Sequence, residues 1–108
     1  MAIELNRDNY EEVTGENGQV VLVDFWGPKC APCLALMPAV TELEKQYEGQ
    51  VKIAKLETTS NRMLCAKLRV MGLPTFIIYK DGDEKERLSG EGLTIENIKE
   101  ALDNVLLI

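Results

Sequence analysis

The four residues Cys30-Ala31-Pro32-Cys33 hold most of the chemistry this sequence offers. Two thiols three positions apart at the start of a helix share one face, with about 5–6 Å between their Cβ atoms. That separation is close to what a disulfide accepts. Unpaired N–H groups at a helix N-terminus favour a thiolate on the first cysteine and lower its pKa. Cys30 is therefore the expected nucleophile, and Cys33, one turn deeper, the resolving thiol. Pro32 contributes by lacking an N–H: fewer donors to the Cys30 sulfur leave the thiolate less stabilised and the dithiol a better reductant.

Other uses of the pair have to be weighed. A Cys-x-x-Cys can be half of a zinc site, but the second half is missing: there is no histidine, and Cys65 is the one other thiol. Zinc on three cysteines and a carboxylate stays possible on paper, as does chance spacing of two structural cysteines. A proline and a strand-to-helix junction around the pair favour redox chemistry, with no metal expected.

Composition sets the frame. The chain has 108 residues, 45% hydrophobic and 28% charged, which suits one globular domain over 1–108 with a real core. A net charge of −6 opposes binding to nucleic acid or an anionic membrane surface. The absence of histidine removes Ser-His-Asp and Cys-His nucleophile pairs. Three cysteines are too few, and odd in number, for a disulfide framework. The N-terminal residues lack the basic and apolar regions of a signal peptide, and no stretch approaches the ~20 apolar residues of a transmembrane helix. A cytoplasmic chain is the expectation.

The elements that must position the cysteines follow from periodicity. Ala2-Ile3-Glu4 reads as a brief strand. Asn6 is the expected N-cap of a short helix carrying Tyr10 and Val13. The segment 20–26, Val-Val-Leu-Val-Asp-Phe-Trp, is apolar on both faces, as in a central strand covered by helices. A helix is expected from Cys33 to Glu48, with Leu36, Val40, Leu43 and Tyr47 on one stripe, Pro38 inside it and Gly49 at its end. A strand over 51–56 and a helix over 61–70 capped by Ser60 come next. A strand over 75–79 then turns through Asp81-Gly82 into a hairpin partner over 85–89. Thr94 caps a last helix with Ile95, Ile98, Leu102 and Val105 on its apolar stripe. The order β-α-β-α-β-α-β-β-α predicts a three-layer α/β/α domain. Met63, Leu64 and Met71 are expected in the core or lining a groove, and Cys65 as a buried, inert thiol.

The segment 25–33, Phe-Trp-Gly-Pro-Lys-Cys-Ala-Pro-Cys, followed by Met37-Pro38, resembles the active-site segment of the thioredoxin family. The resemblance continues in order and spacing through Val23-Asp24, Ile53-Ala54-Lys55-Leu56, Gly72-Leu73-Pro74-Thr75 and Asp81-Gly82, across essentially the whole chain. It implies a central mixed five-stranded sheet flanked by four helices, and a dithiol that reduces protein disulfides. It also implies no bound cofactor beyond a redox-active disulfide, with electrons from a separate thioredoxin reductase, expected to be an NADPH-dependent flavoprotein. The partners implied are that reductase and disulfide-containing clients, met by a monomer.

The resemblance assigns roles by position. Cys30 matches the attacking and Cys33 the resolving cysteine. Asp24 matches the buried aspartate behind the disulfide, a raised-pKa base for Cys33; a carboxylate in so apolar a run is costly to bury unpaired. An exposed strand-end Asp is the alternative. Lys55 shares the inward parity of Val51 and Ile53, and reads as the electrostatic neighbour of Asp24 or as a simple surface lysine. Pro74 matches a cis-proline beside the disulfide, which would present the Leu73 backbone to an extended substrate. Trp26 matches a tryptophan packed on the site, and Gly72 and Gly90 match small groove positions. The substrate-facing set is completed by Lys29, Ala31 and Pro32.

Four positions depart from the family pattern. Lys29 stands where a second tryptophan is usual, placing a cation beside the thiolate. Ala31 replaces a glycine, Leu34 a lysine, and Met71 an arginine or serine. Variants of this kind, with Gly and Lys around Cys-x-Pro-Cys, are similar to thioredoxins of anaerobic amino-acid-fermenting bacteria. Oxidases and isomerases of the fold usually carry His at the position of Pro32; Pro32 argues against them and Lys29 slightly for them. A glutaredoxin would carry its proline directly after the first cysteine, and a non-catalytic binding subunit would not need both thiols.

Overall fold

The architecture was taken from a computed structural model that describes residues 2–108. Nine elements run in the expected order: β1 (Ile3–Glu4), α1 (Tyr10–Thr14), β2 (Val20–Trp26), α2 (Ala31–Gln46), β3 (Val51–Glu57), α3 (Arg62–Lys67), β4 (Thr75–Lys80), β5 (Asp83–Ser89) and α4 (Ile95–Leu106). The five strands form one sheet in the order β1-β3-β2-β4-β5. β1, β3 and β2 are parallel, and β4 and β5 add antiparallel pairings at the other side.

Alternation along the strands splits the core into two layers. Val20 and Leu22 of β2, with Val51 and Ile53 of β3 and Phe76 and Ile78 of β4, pack against Val40 and Leu43 of α2 and Ile98, Leu102 and Val105 of α4. The residues between them, Val21, Val23, Phe25, Ala54, Leu56, Ile77 and Tyr79, pack on the other face with Tyr10 and Cys65. Six of the seven residues of β2 are buried, all but Trp26, as its continuous apolar run demands.

Several local expectations need correction. Asn6 is not the cap of α1: its Oδ1 accepts from the backbone of Asp8 and Asn9, making a turn, and the helix starts four residues later at Tyr10. Ser60 does not cap α3, because its hydroxyl donates to Glu57 Oε1 at 2.7 Å; Asn61 holds the cap position. α3 is also shorter than its apolar spacing suggests, ending at Lys67 because Arg69 turns left-handed at φ 60°. The hairpin partner begins at Asp83, directly after Asp81 and Gly82, both at positive φ. Met63 is outside the core, 88% exposed, and lines a surface groove with Asn6, Asn61 and Leu64. The Thr94 cap is present, with Asn97 closing a reciprocal capping box.

Candidate active site

Helix α2 begins two residues earlier than its apolar stripe suggests, because Cys30 is its N-cap. The Cys30 sulfur accepts from the Cys33 backbone N–H at 3.2 Å, where a capping Ser or Asp would place its oxygen. Ala31 and Pro32 fill the first two helical positions; Pro32 offers no N–H there and is suited to a first turn. Cys30 is also tied back to the loop through its own N–H, which donates to Gly27 O at 3.1 Å. The first cysteine thus sits on the positive end of a sixteen-residue helix, a placement that favours a negative sulfur.

Cys30 and Cys33 are joined by a disulfide, with Cα atoms 5.2 Å apart. Cys33 is buried and Cys30 half-buried, while Lys29 and Ala31 on either side of Cys30 are exposed. Cys30 is therefore the more accessible of the two. Cys65 lies elsewhere, on α3 and buried in the opposite layer, where burial and the Glu57 carboxylate push its thiol up.

Asp24 lies in β2 with the parity of Val20 and Leu22, facing the α2 layer. It is 2% exposed, and its Oδ2 has no hydrogen-bond partner among the described residues. Burial pushes its carboxyl up to about 7 against an ordinary 3.8, with the Lys55 charge pulling the other way. Lys55 stands opposite Asp24 in the β2–β3 register and is half-buried. The exposed strand-end alternative for Asp24 is thereby removed.

The Gly72–Thr75 segment approaches from the other side. Phe25 pairs with Thr75, so Pro74 comes at the end of the ladder next to Trp26, where the active-site loop departs. The Leu73–Pro74 peptide is cis. Leu73 packs so closely on Gly27 that a Cβ there would meet Leu73 Cδ1 at 3.3 Å, which links this segment to the Cys30 loop. Thr75, a residue the sequence did not single out, fixes the segment by donating from its buried hydroxyl to Gly72 O at 2.6 Å. Gly90 donates its N–H to Pro74 O and sits at φ +113°, a conformation that favours glycine. Gly72, Leu73 and Gly90 line one groove of about 300 Å³ together with Met71, Arg69 and Glu91. Trp26 is half-buried at the end of β2.

Among the described residues, no group of three or more His, Cys, Asp or Glu is placed to hold a metal ion. No helix among them is long and apolar enough to cross a membrane.

Comparison with known proteins agrees with this geometry. The family model described as Thioredoxin matches residues 1–104. The chain is similar to a thioredoxin of Acetoanaerobium sticklandii, 46% identical over 89% of this chain and 91% of that one. It is 39% identical to a thioredoxin of Peptoclostridium acidaminophilum over 91% and 89% of the two chains. A thioredoxin of Staphylococcus aureus is 41% identical over 81% and 83%. With relatives matched along most of both lengths and a disulfide seated at a helix N-terminus, this chain belongs to the thioredoxin family and is a thiol-disulfide oxidoreductase working through a redox-active disulfide.

Proposed function

We propose that the reaction is reduction of protein disulfides, with Cys30 as the attacking thiolate, Cys33 as the resolving thiol and Asp24 as the group that moves its proton. The observation that carries this reading is the seating of Cys30 as the N-cap of α2, together with a buried carboxyl on the α2 side of the sheet that has an unpartnered oxygen. In the reduced protein, the Cys30 thiolate attacks one sulfur of a client disulfide. A mixed disulfide forms and the client's other sulfur leaves as a thiolate. Cys33 gives its proton to Asp24, relayed by a water that Oδ2 can hold, and attacks the Cys30 sulfur. The second client sulfur leaves and the Cys30–Cys33 disulfide closes. Two electrons have passed to the client, and the two protons its thiols take up balance those lost by the dithiol.

A carboxyl near 7 is half-ionised at neutral pH, so it can both take the proton and return it. Lys55 acts on Asp24 as its electrostatic partner. The client lies as an extended strand along Leu73 and Pro74, across the groove that Gly72 and Gly90 keep open. Trp26, Lys29, Ala31 and Pro32 form the opposite lip. Re-reduction falls to a separate thioredoxin reductase, an NADPH-dependent flavoprotein. Residues 1–108 act as one monomeric unit, without nucleic acid or membrane. A reductase of protein disulfides needs a reducing compartment, so the cytoplasm is its proposed location.

The roles are tested by trapping. Mixed with an oxidised protein substrate, a Cys33→Ser variant is expected to accumulate a disulfide-linked adduct through Cys30, visible by mass on non-reducing analysis. Cys30→Ser is expected to accumulate none. An adduct through Cys33, or none from Cys33→Ser, overturns the assignment.

A further inference from the structure

The wall of the substrate groove is held in place from β5 by a residue with no part in the redox chemistry. Arg87 Nη2 donates to Leu68 O at 3.0 Å and Arg87 Nη1 to Arg69 O at 3.1 Å. Nε and Nη2 also grip both carboxylate oxygens of Glu84, each at 2.9 Å. The two carbonyls belong to the frayed C-terminal end of α3, where a helix leaves acceptors unpaired and where a cation is favoured. Arg69 itself sits at φ 60°, a left-handed conformation that is uncommon outside glycine and has to be held by its surroundings. From Arg69 the chain runs directly into Met71, Gly72 and Leu73, the groove wall.

The strand supplying Arg87 is shaped for this grip. Arg87 stands opposite Ile77, and Glu84 opposite Tyr79, both residues of the α1/α3 layer. Residues three apart on a regular strand point to opposite faces. Here the register shifts between Ile78 and Tyr79, so that Lys85 is the extra residue and Glu84 and Arg87 share one face. Without that bulge, the two-pronged Glu84–Arg87 pair could not form on the side where the α3 carbonyls lie. A lysine could not replace the guanidinium, since one ammonium cannot reproduce its planar fork on two carbonyls and a carboxylate.

We propose that Arg87 is a positioning residue for client binding: oriented by Glu84 across the β5 bulge, it fixes the Arg69–Leu73 wall against which protein substrates dock. The inference rests on the groove being the client site. Reduction of a protein disulfide should then depend on Arg87, whereas reduction of a small disulfide such as hydroxyethyl disulfide should not.

The experiment compares wild type, Arg87→Lys, Arg87→Met, Glu84→Gln and Gly72→Phe, with insulin and hydroxyethyl disulfide as substrates. Amide hydrogen exchange is followed at 69–73. A Cβ at Gly72 meets nothing within 4 Å, so Gly72→Phe starts from open space and fills the groove with its ring. Arg87→Met and Arg87→Lys are expected to raise KM for insulin about 5- to 20-fold and to speed exchange at 69–73 about 10-fold. Their rates with the small disulfide should stay within about 2-fold, and the Cys30–Cys33 potential unchanged; Glu84→Gln should fall between them and wild type. If Gly72→Phe raises the insulin KM and the Arg87 variants do not, the groove reading stands and this inference is wrong. If Gly72→Phe itself leaves the insulin KM unchanged, the groove reading fails and the inference with it. Equal losses on both substrates, or full function in Arg87→Lys, would also overturn it.

Discussion

On the α1/α3 face of the sheet, the Tyr10 and Tyr79 hydroxyls meet at 2.6 Å, each the other's partner. On the α2/α4 face, one oxygen of Asp24 meets no hydrogen-bond partner among the described residues. Both sites are buried, and an unsatisfied polar group in such a place costs about 1–3 kcal/mol, more if charged. The tyrosine pair shows how this fold satisfies a buried polar group when only packing is at stake. Asp24 is left unsatisfied on the face packed against α2, and the proposed mechanism has it take a proton and return it. A carboxyl with two firm donors would stay ionised at neutral pH and could not do that.

The sharpest way to break this contrast is to remove Asp24. Folded Asp24 ionises near 7 and the unfolded side chain near 3.8. Between those values the folded protein keeps a proton that the unfolded chain has lost, so stability falls as pH rises through the window and levels off above about 7. For this group alone the loss is on the order of 4 kcal/mol. Asp24→Ala is therefore expected to be more stable than wild type at pH 8 by about 2–3 kcal/mol, after a small cavity cost, and to show no such gain at pH 4. Urea unfolding at the two pH values measures this directly. The same variant should reduce insulin more slowly at neutral pH if Asp24 is the proton acceptor proposed for Cys33.

Next in size is the tyrosine pair. Tyr79→Phe strands the Tyr10 hydroxyl and is expected to cost about 1–2 kcal/mol with no change in turnover. Replacing both tyrosines by Phe should cost less than the two single changes added together, since neither hydroxyl is then left alone. Equal additivity in that double-mutant cycle would deny that the two hydroxyls satisfy each other. The smallest effect belongs to Lys55, whose charge is all that offsets the desolvation of Asp24. Lys55→Gln should move the ionisation of Asp24 further up and shift the matching limb of the pH–rate profile the same way. It should cost no more than about 1 kcal/mol above pH 7. An unmoved limb would separate the two side chains functionally.

What the sequence revealed, and what it hid, follows the range of the interactions. Thr94, whose hydroxyl accepts from Asn97 three residues on, was legible because a capping box is local. The Asp81-Gly82 turn and the apolar run of β2 were legible for the same reason. Asn6 and Ser60 misled because each side chain had a second local choice: Asn6 a turn onto Asp8 and Asn9, Ser60 the Glu57 carboxylate. The α2 start was missed because cysteine is not an ordinary cap; its sulfur takes that role at this site. Arg87 gave no signal at all. Its carbonyl partners lie 18 and 19 residues away, and the bulge that aims it exists only as a register between two strands. The Cys30–Cys33 pair was therefore readable from the chain, and the burial of Asp24 was implied by the family resemblance; the Arg87 contacts were not readable.

The most direct test of the central claim is the equilibrium potential of the Cys30–Cys33 pair, measured against thiol-disulfide buffers in a Cys65→Ala protein. One reversible two-electron couple is predicted, close to the value of about −270 mV that is general for thioredoxin. A couple at about −180 to −120 mV would instead mark an isomerase or oxidase, with Lys29 stabilising the thiolate. The absence of any reversible couple would contradict the account outright.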